Sequence, residues 1–228
     1  MSERNALILG ASRGIGLGLA EELARRGWRV FATRRGPSAA LDQAAARSDG
    51  RIEVLTADVT DTGSLAALAH GLAPGSLDIA LINAGIIGAA HQSVEKATTD
   101  EVAEVMLTNA VGPARAAKLL LPLVRDGGTL AFTTSRMGSI ADSSGGYELY
   151  RMSKAAQNIL AKGISEQLAK ARGISVLSLH PGWVQTDMGG AAAPLTVAES
   201  ARGLADVLER THGAGHRFLA YDGNEIPW

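Results

Sequence analysis

The sequence contains no cysteine. That excludes disulfides, thiolate metal sites and a thiol nucleophile. It also lacks an excess of either charge: 22 basic residues stand against 23 acidic ones, a net charge of −1. Such a balance gives no electrostatic footprint for nucleic acid or an anionic membrane, and neither is expected as a partner. Long apolar runs are missing too. Leu119–Val124 falls far short of a membrane span and contains Pro122. Ala6–Leu9 is too short for the apolar core of a signal peptide. A cytoplasmic location is therefore expected. No linker or low-complexity segment breaks the 228 residues, so one domain over 1–228 is expected. The histidines are scattered. His212 and His216 are four apart, but Gly213 and Gly215 lie between them, and no metal site is expected.

What remains is an ordinary globular composition, 46% hydrophobic and 20% charged, in a chain long enough for one sizeable core. Short apolar runs alternate with helical patterns. Ala6–Leu9, Arg29–Thr33, Ile52–Leu55, Asp78–Ile82, Thr129–Thr133, Ile174–Leu179 and Arg217–Ala220 read as strands. Gly14–Arg26, Ser64–Leu72, Thr99–Leu121, Tyr147–Ala171 and Thr196–Glu209 read as helices, with a weaker one near Ser38–Arg47. Unbroken apolar strands fit a sheet covered on both faces. The repeated alternation predicts an α/β fold: a Rossmann-type, doubly wound, seven-stranded and mostly parallel sheet flanked by helices. Pro74-Gly75 and Gly127-Gly128 read as turns between elements.

The first strand runs into Gly10-Ala11-Ser12-Arg13-Gly14-Ile15-Gly16, and a helix follows at once. Glycines here permit a tight turn and close approach of a diphosphate, while the helix N-terminus offers free N–H groups and a favourable dipole. Selection between dinucleotides falls at the end of the second strand. An acid there would bind the ribose hydroxyls of NAD. The sequence has Ala32-Thr33-Arg34-Arg35 instead, and a guanidinium fork suits a 2′-phosphate. Arg13 is placed to reach the same phosphate. NADP(H) is expected in preference to NAD(H), against the alternative that Arg34 and Arg35 are a solvated surface pair.

Tyr150-Arg151-Met152-Ser153-Lys154 places a tyrosine and a lysine four apart, on one helix face. A free tyrosine holds its proton until about pH 10. A nearby ammonium, with a cationic nicotinamide, favours the phenolate and lowers that value, so Tyr150 can exchange a proton as carbonyl and alcohol interconvert. Tyr147 lies nearly two turns from Lys154, too far for that coupling. Asn109 sits in an apolar helix, where a buried amide must find hydrogen-bond partners.

These motifs, in this order, resemble the short-chain dehydrogenase/reductase family over the whole chain. The likeness is to the branch of C-factor-like proteins and sniffer-type carbonyl reductases, through Tyr-Arg-x-Ser-Lys, a longer serine–tyrosine loop, His180–Met188 and the ending Asp222–Trp228. One departure is Leu9, where the family usually has threonine. The resemblance implies a catalytic tetrad of Asn109, Ser135, Tyr150 and Lys154, with Asn109 binding a relay water and Lys154 the nicotinamide ribose. Ser135 lies fifteen residues before Tyr150, two more than the usual spacing, and Ser139, eleven before it, is the alternative. The cofactor site it implies adds Asp58-Val59 at the adenine, Asn83-Ala84-Gly85, and Pro181-Gly182 with Val184 and Thr186 at the nicotinamide amide. Ile87, Met137, Tyr147, Trp183 and Met188 are candidates for the wall of the substrate pocket. The implied activity is hydride transfer between NADP(H) and a small carbonyl or alcohol substrate. A homodimer or homotetramer is implied as well, with the apolar Ile226-Pro227-Trp228 end at an interface. A different class of reading is a non-enzymatic NADP(H)-binding sensor or signalling protein on the same fold, which needs nucleotide binding but no proton relay.

Overall fold

A computed structural model describes residues 4–228. Seven strands form one sheet: β1 (Asn5–Leu9), β2 (Arg29–Arg34), β3 (Ile52–Thr56), β4 (Leu77–Ile82), β5 (Val124–Thr133), β6 (Ser175–His180) and β7 (Gly215–Ala220). Their order is β3-β2-β1-β4-β5-β6-β7, and every neighbouring pair is parallel. The expectation of a mostly parallel sheet is thus met in full.

Period-two geometry divides the apolar strands between two cores. Ala6 and Ile8 of β1 face one side, with Val30, Ala32, Leu177 and Leu179. There they meet α1 (Gly14–Arg25), α2 (Ala39–Ala46) and α7 (Val197–Glu209) through Leu19, Leu23, Leu41, Leu204 and Leu208. Leu7, Leu9, Ile82 and Phe132 face the other side. They meet α3 (Thr62–His70), α5 (Gly112–Leu120) and α6 (Glu148–Ile164) through Leu65, Leu120 and Ile164. The remaining helix, α4 (Thr99–Met106), precedes α5. Strand order reverses between β1 and β4, and doubly wound sheets hold ligands in the crevice beyond the strand C-termini at such a point.

Three expectations need correction. The helix read over Thr99–Leu121 is interrupted by a π-helical turn at Leu107–Val111, centred on Asn109. The helix read over Tyr147–Ala171 differs at both ends: Tyr147 is the N-cap, with φ 49°, and beyond Ile164 the α-helix gives way to a π-helical turn over Ser165–Ala169. Gly127-Gly128 is not a turn between elements. It lies inside β5, where the register against β4 shifts between Leu77 and Ile79. Gly128 is required there, because a Cβ would stand 2.9 Å from the Asp78 carbonyl oxygen.

The two sheet halves are fastened at the switch point by Asn83. Its Nδ2 donates to the Gly10 carbonyl at 2.7 Å, and its Oδ1 accepts from the Thr133 hydroxyl at 2.9 Å. One amide therefore joins β1, β4 and β5. Asn83→Ala leaves two inward-facing polar groups unpaired. It is expected to lower unfolding stability by about 2–4 kcal/mol, measured by urea denaturation; a loss below about 0.5 kcal/mol would show that the amide ties nothing.

Candidate active site

The glycine turn leaves β1 at Gly10, with φ 97°, and enters α1 at Gly14. A Cβ on Gly16 would fall 2.2 Å from the Gly10 carbonyl oxygen, so only glycine fits that approach. Arg13 occupies the N-cap of α1 in extended conformation and gives no side-chain cap. By contrast Ser38, Asp61, Thr98 and Thr196 cap α2, α3, α4 and α7. The first amides of α1 thus keep donors that those four helices spend on their caps, which fits a dinucleotide diphosphate. Leu9 supplies no hydroxyl at the turn. Thr33 does so from β2, its Oγ1 accepting from the Gly10 amide at 3.0 Å.

The basic residues gather around this turn. Ser38 donates its hydroxyl to the Ser12 carbonyl at 2.7 Å, and Arg34 Nη1 lies 3.5 Å from the Ser38 carbonyl. Arg34 also grips Asp42 at 2.7 Å, and Arg13 pairs with Asp187 at 2.8 Å. Both arginines therefore hold a carboxylate, and an incoming phosphate would exchange with it. Asp58, after β3, tends to be raised by burial. The amide and hydroxyl of Thr60, with Arg35 beyond, outweigh that and hold it below the usual carboxylate range. Its neighbour Val59 is buried. Across the crevice, the segment after β6 folds back over the turn: a Cβ on Gly14 would touch Thr186. Gly182, with φ 87°, and a bridge between Val184 and Leu195 set that path.

The tyrosine–lysine pair is nearly inaccessible to water. Lys154 is buried, and its Nζ donates to the Thr133 carbonyl at 3.0 Å and to Gln157 Oε1 at 3.1 Å. Burial pushes this amine down to about 7. Burial also pushes the Tyr150 phenol up to about 12, while the neighbouring Ser135 hydroxyl pulls it back down. The lowering expected for Tyr150 is therefore not a property of the protein by itself. Lys154 Nζ stands 5.7 Å from the phenol ring centroid, and desolvation acts more strongly on both groups than their mutual attraction.

The serine alternatives separate. Ser135, two residues past the end of β5, lies beside Tyr150, and its Oγ also accepts from the Met137 amide at 3.1 Å. Ser139 is buried too, and its hydroxyl likewise accepts from a backbone amide, that of Asp142 at 3.0 Å, but it is no partner of Tyr150. Asn109 is fully buried. Its Oδ1 accepts from the Ile86 amide at 2.8 Å, and its Nδ2 donates to the Ile86 carbonyl and to Ser153 Oγ. The π turn presents it there. A Cβ on Gly85 would stand 3.2 Å from Asn109 Oδ1 and 3.4 Å from Lys154 Nζ, so Ala84-Gly85 forms the floor between them. Pro181 follows β6, and its carbonyl accepts from Ser200 of α7 at 2.6 Å.

The pocket candidates divide by exposure. Ile87 and Met137 are half-buried, whereas Tyr147, Trp183 and Met188 are exposed apolar residues. Trp183 is steadied by its indole N–H, which donates to the Gly189 carbonyl at 2.8 Å. Two further residues at the site carry no sequence signal. Gln157 receives the Lys154 amine, and Gln92 receives the backbone amide of Tyr150. Among the described residues no group of three or more His, Asp or Glu is placed to hold a metal ion, and no helix is long and apolar enough to cross a membrane.

Comparison with known proteins agrees with this geometry. A family model described as short chain dehydrogenase matches residues 4–194. The C-signal protein of Myxococcus xanthus is 40% identical over 168 residues, covering 71% of this chain and 99% of that one. A carbonyl reductase from Pseudomonas aeruginosa, solved in complex with NADP, superposes with a TM-score of 0.92 at 40% identity, covering 100% of both chains. The carbonyl reductase Sniffer of D. melanogaster superposes at 0.89 with 29% identity, again over 100% of both. With the glycine turn, six of the seven parallel strands and the tyrosine–lysine helix inside the matched span, the chain belongs to the short-chain dehydrogenase/reductase family, alongside its C-signal and sniffer-like members.

Proposed function

We propose that the protein is an NADP(H)-dependent carbonyl reductase in which Tyr150 exchanges a proton with the substrate oxygen. The observation that carries this reading is the buried phenol of Tyr150 beside the Ser135 hydroxyl, with the Lys154 amine on the same helix face. A bound nicotinamide would supply or accept the hydride. The chain's own residues do the rest. Ser135 holds the carbonyl oxygen and polarises it. The phenol, held protonated by burial, gives its proton to that oxygen as it gains negative charge, since an alkoxide is a far stronger base than a phenolate. Lys154 sits behind the phenol with a value near neutrality, suited to return the proton. Asn109 and Ser153 continue the polar path away from the pocket. A sensor on the same fold has no use for a buried phenol–amine pair.

NADP(H) is favoured over NAD(H) by Arg34 and Arg13 at the turn and by the absence of an acid at the end of β2. The NADP in the Pseudomonas aeruginosa structure supports the same choice. A homodimer or homotetramer is supported by the exposed apolar residues Leu119 on α5 and Met152, Ile159 and Leu160 on α6. Ile226 is not available to such an interface as the sequence led us to expect. It is buried within its own chain against Phe218 and Ala220, while Trp228 packs on His216 and Phe218.

Tyr150→Phe is expected to cut NADPH oxidation roughly 10²–10⁴-fold across a panel of aldehydes, ketones and quinones, while Tyr147→Phe retains turnover. The reverse pattern would exchange the roles of the two tyrosines. Arg34→Ala is expected to weaken NADPH binding about tenfold and to leave NADH binding nearly unaltered, measured by fluorescence titration; equal losses for both would remove Arg34 from the selection of the 2′-phosphate.

Lys154 also predicts a pH effect on folding. Its value falls from 10.5 when exposed to about 7 in the fold. Between those limits the unfolded chain carries the proton and the folded chain does not, so raising the pH stabilises the fold. Tyr150, raised from 10.0 to about 12, acts in the opposite direction only above pH 10. Urea denaturation from pH 7 to 10 is expected to show wild type gaining stability relative to Lys154→Met. Parallel curves would mean that Lys154 is not desolvated.

A further inference from the structure

The helix that carries Tyr150 and Lys154 has no cap of its own. Tyr147 takes the N-cap position with left-handed backbone, and its side chain accepts nothing from the first turn. The acceptor arrives from fifty-eight residues away: the Tyr150 amide donates to Gln92 Oε1 at 3.0 Å. Tyr150 is the third residue of α6, so this is the bond that an N-cap side chain ordinarily makes.

Gln92 is itself held in place. Its Nε2 donates to the Ile87 carbonyl at 2.8 Å and to the Ala89 carbonyl at 2.6 Å. Both amide protons and one oxygen lone pair are thereby used. The residue is 7% exposed, and its backbone has φ 55°. A non-glycine residue persists in that region only where its surroundings hold it there, and here its own side chain supplies the anchors. A second bond joins the same two segments in the opposite sense, from the Val94 amide to Glu148 Oε2 at 2.8 Å. The clamped segment continues directly from Asn83-Ala84-Gly85, and Asn109 fastens its near end through Ile86.

We propose that Gln92 is a positioning residue for the reaction: by capping α6 from a distant loop, it fixes the first helical turn and with it the Tyr150 phenol relative to Ser135. The inference rests on the reading of Tyr150 as the proton donor. Gln92 acts on a backbone N–H and not on substrate, so turnover depends on it more than NADPH binding does.

Hydrogen exchange on the full-length protein without added nucleotide reads the capped amide directly. First-turn amides have no partner inside their helix. In wild type the Tyr150 amide is expected to exchange about tenfold more slowly than those of Glu148 and Leu149. Gln92→Met, similar in length but without the acceptor, is expected to bring all three to a common rate. It should lower kcat about tenfold with KM for NADPH unaltered. Equal exchange of the three amides in wild type overturns the proposal, and that comparison stands even if Gln92→Met does not fold. A Gln92→Met enzyme with wild-type kcat overturns it too. Tyr150→Phe, assayed in parallel, separates the two claims. If it retains turnover, the reading of Tyr150 fails; if it is inactive while Gln92→Met is not impaired, only the role of Gln92 fails.

Discussion

Lys154 is an amine with almost no access to water, held by the Thr133 carbonyl and the Gln157 amide. Burying an amine disfavours its charged form, and nothing nearby offsets that with a carboxylate. The consequence is a group near neutrality directly behind a phenol that burial has pushed the other way. One cause, desolvation, sets both values. Much of the surrounding construction serves that burial. Asn109 and Gly85 close one side, the end of β5 closes another, and the α6 backbone carries both groups.

Desolvation alone does not align a phenol with a substrate. Alignment comes from side-chain amides that bond to backbone across the crevice. Asn83 ties β1 to β5, Asn109 holds Ile86, and Gln92 holds Tyr150. Each replaces a local bond with one between segments far apart in the chain. The strand ends, the segment after β4 and the first turn of α6 are thereby connected at the point where strand order reverses. The glycine turn is different in kind. Its helix keeps its first amides free and surrounds them with Arg13 and Arg34, which suits an anion arriving from outside.

The architecture was legible because unbroken apolar strands such as Leu7–Leu9 and Ile79–Ile82 can only be buried on both faces, and the structure buries them so. The tyrosine–lysine spacing was legible because it obeys helical geometry. What escaped the sequence depends on contacts at long range. The π turn at Leu107–Val111 runs into Gly112-Pro113, a breaker visible in the sequence, but its purpose, the bonds of Asn109 to Ile86, is not. Gly127-Gly128 resembles a turn locally and becomes a bulge only when β5 pairs with β4. Thr33 supplies the hydroxyl that Leu9 lacks, from a different strand. Gln92 looks like any loop glutamine until α6 is placed against it.

The central claim is that desolvation governs this pair, and titration of Lys154 tests it most directly. In protein labelled with carbon-13 at the lysine side chains, each lysine is followed by NMR against pH, with Lys154→Met identifying the resonance. The account predicts that Lys154 titrates near pH 7, well below its exposed value of 10.5. A Lys154 resonance that titrates together with the surface lysines would contradict it.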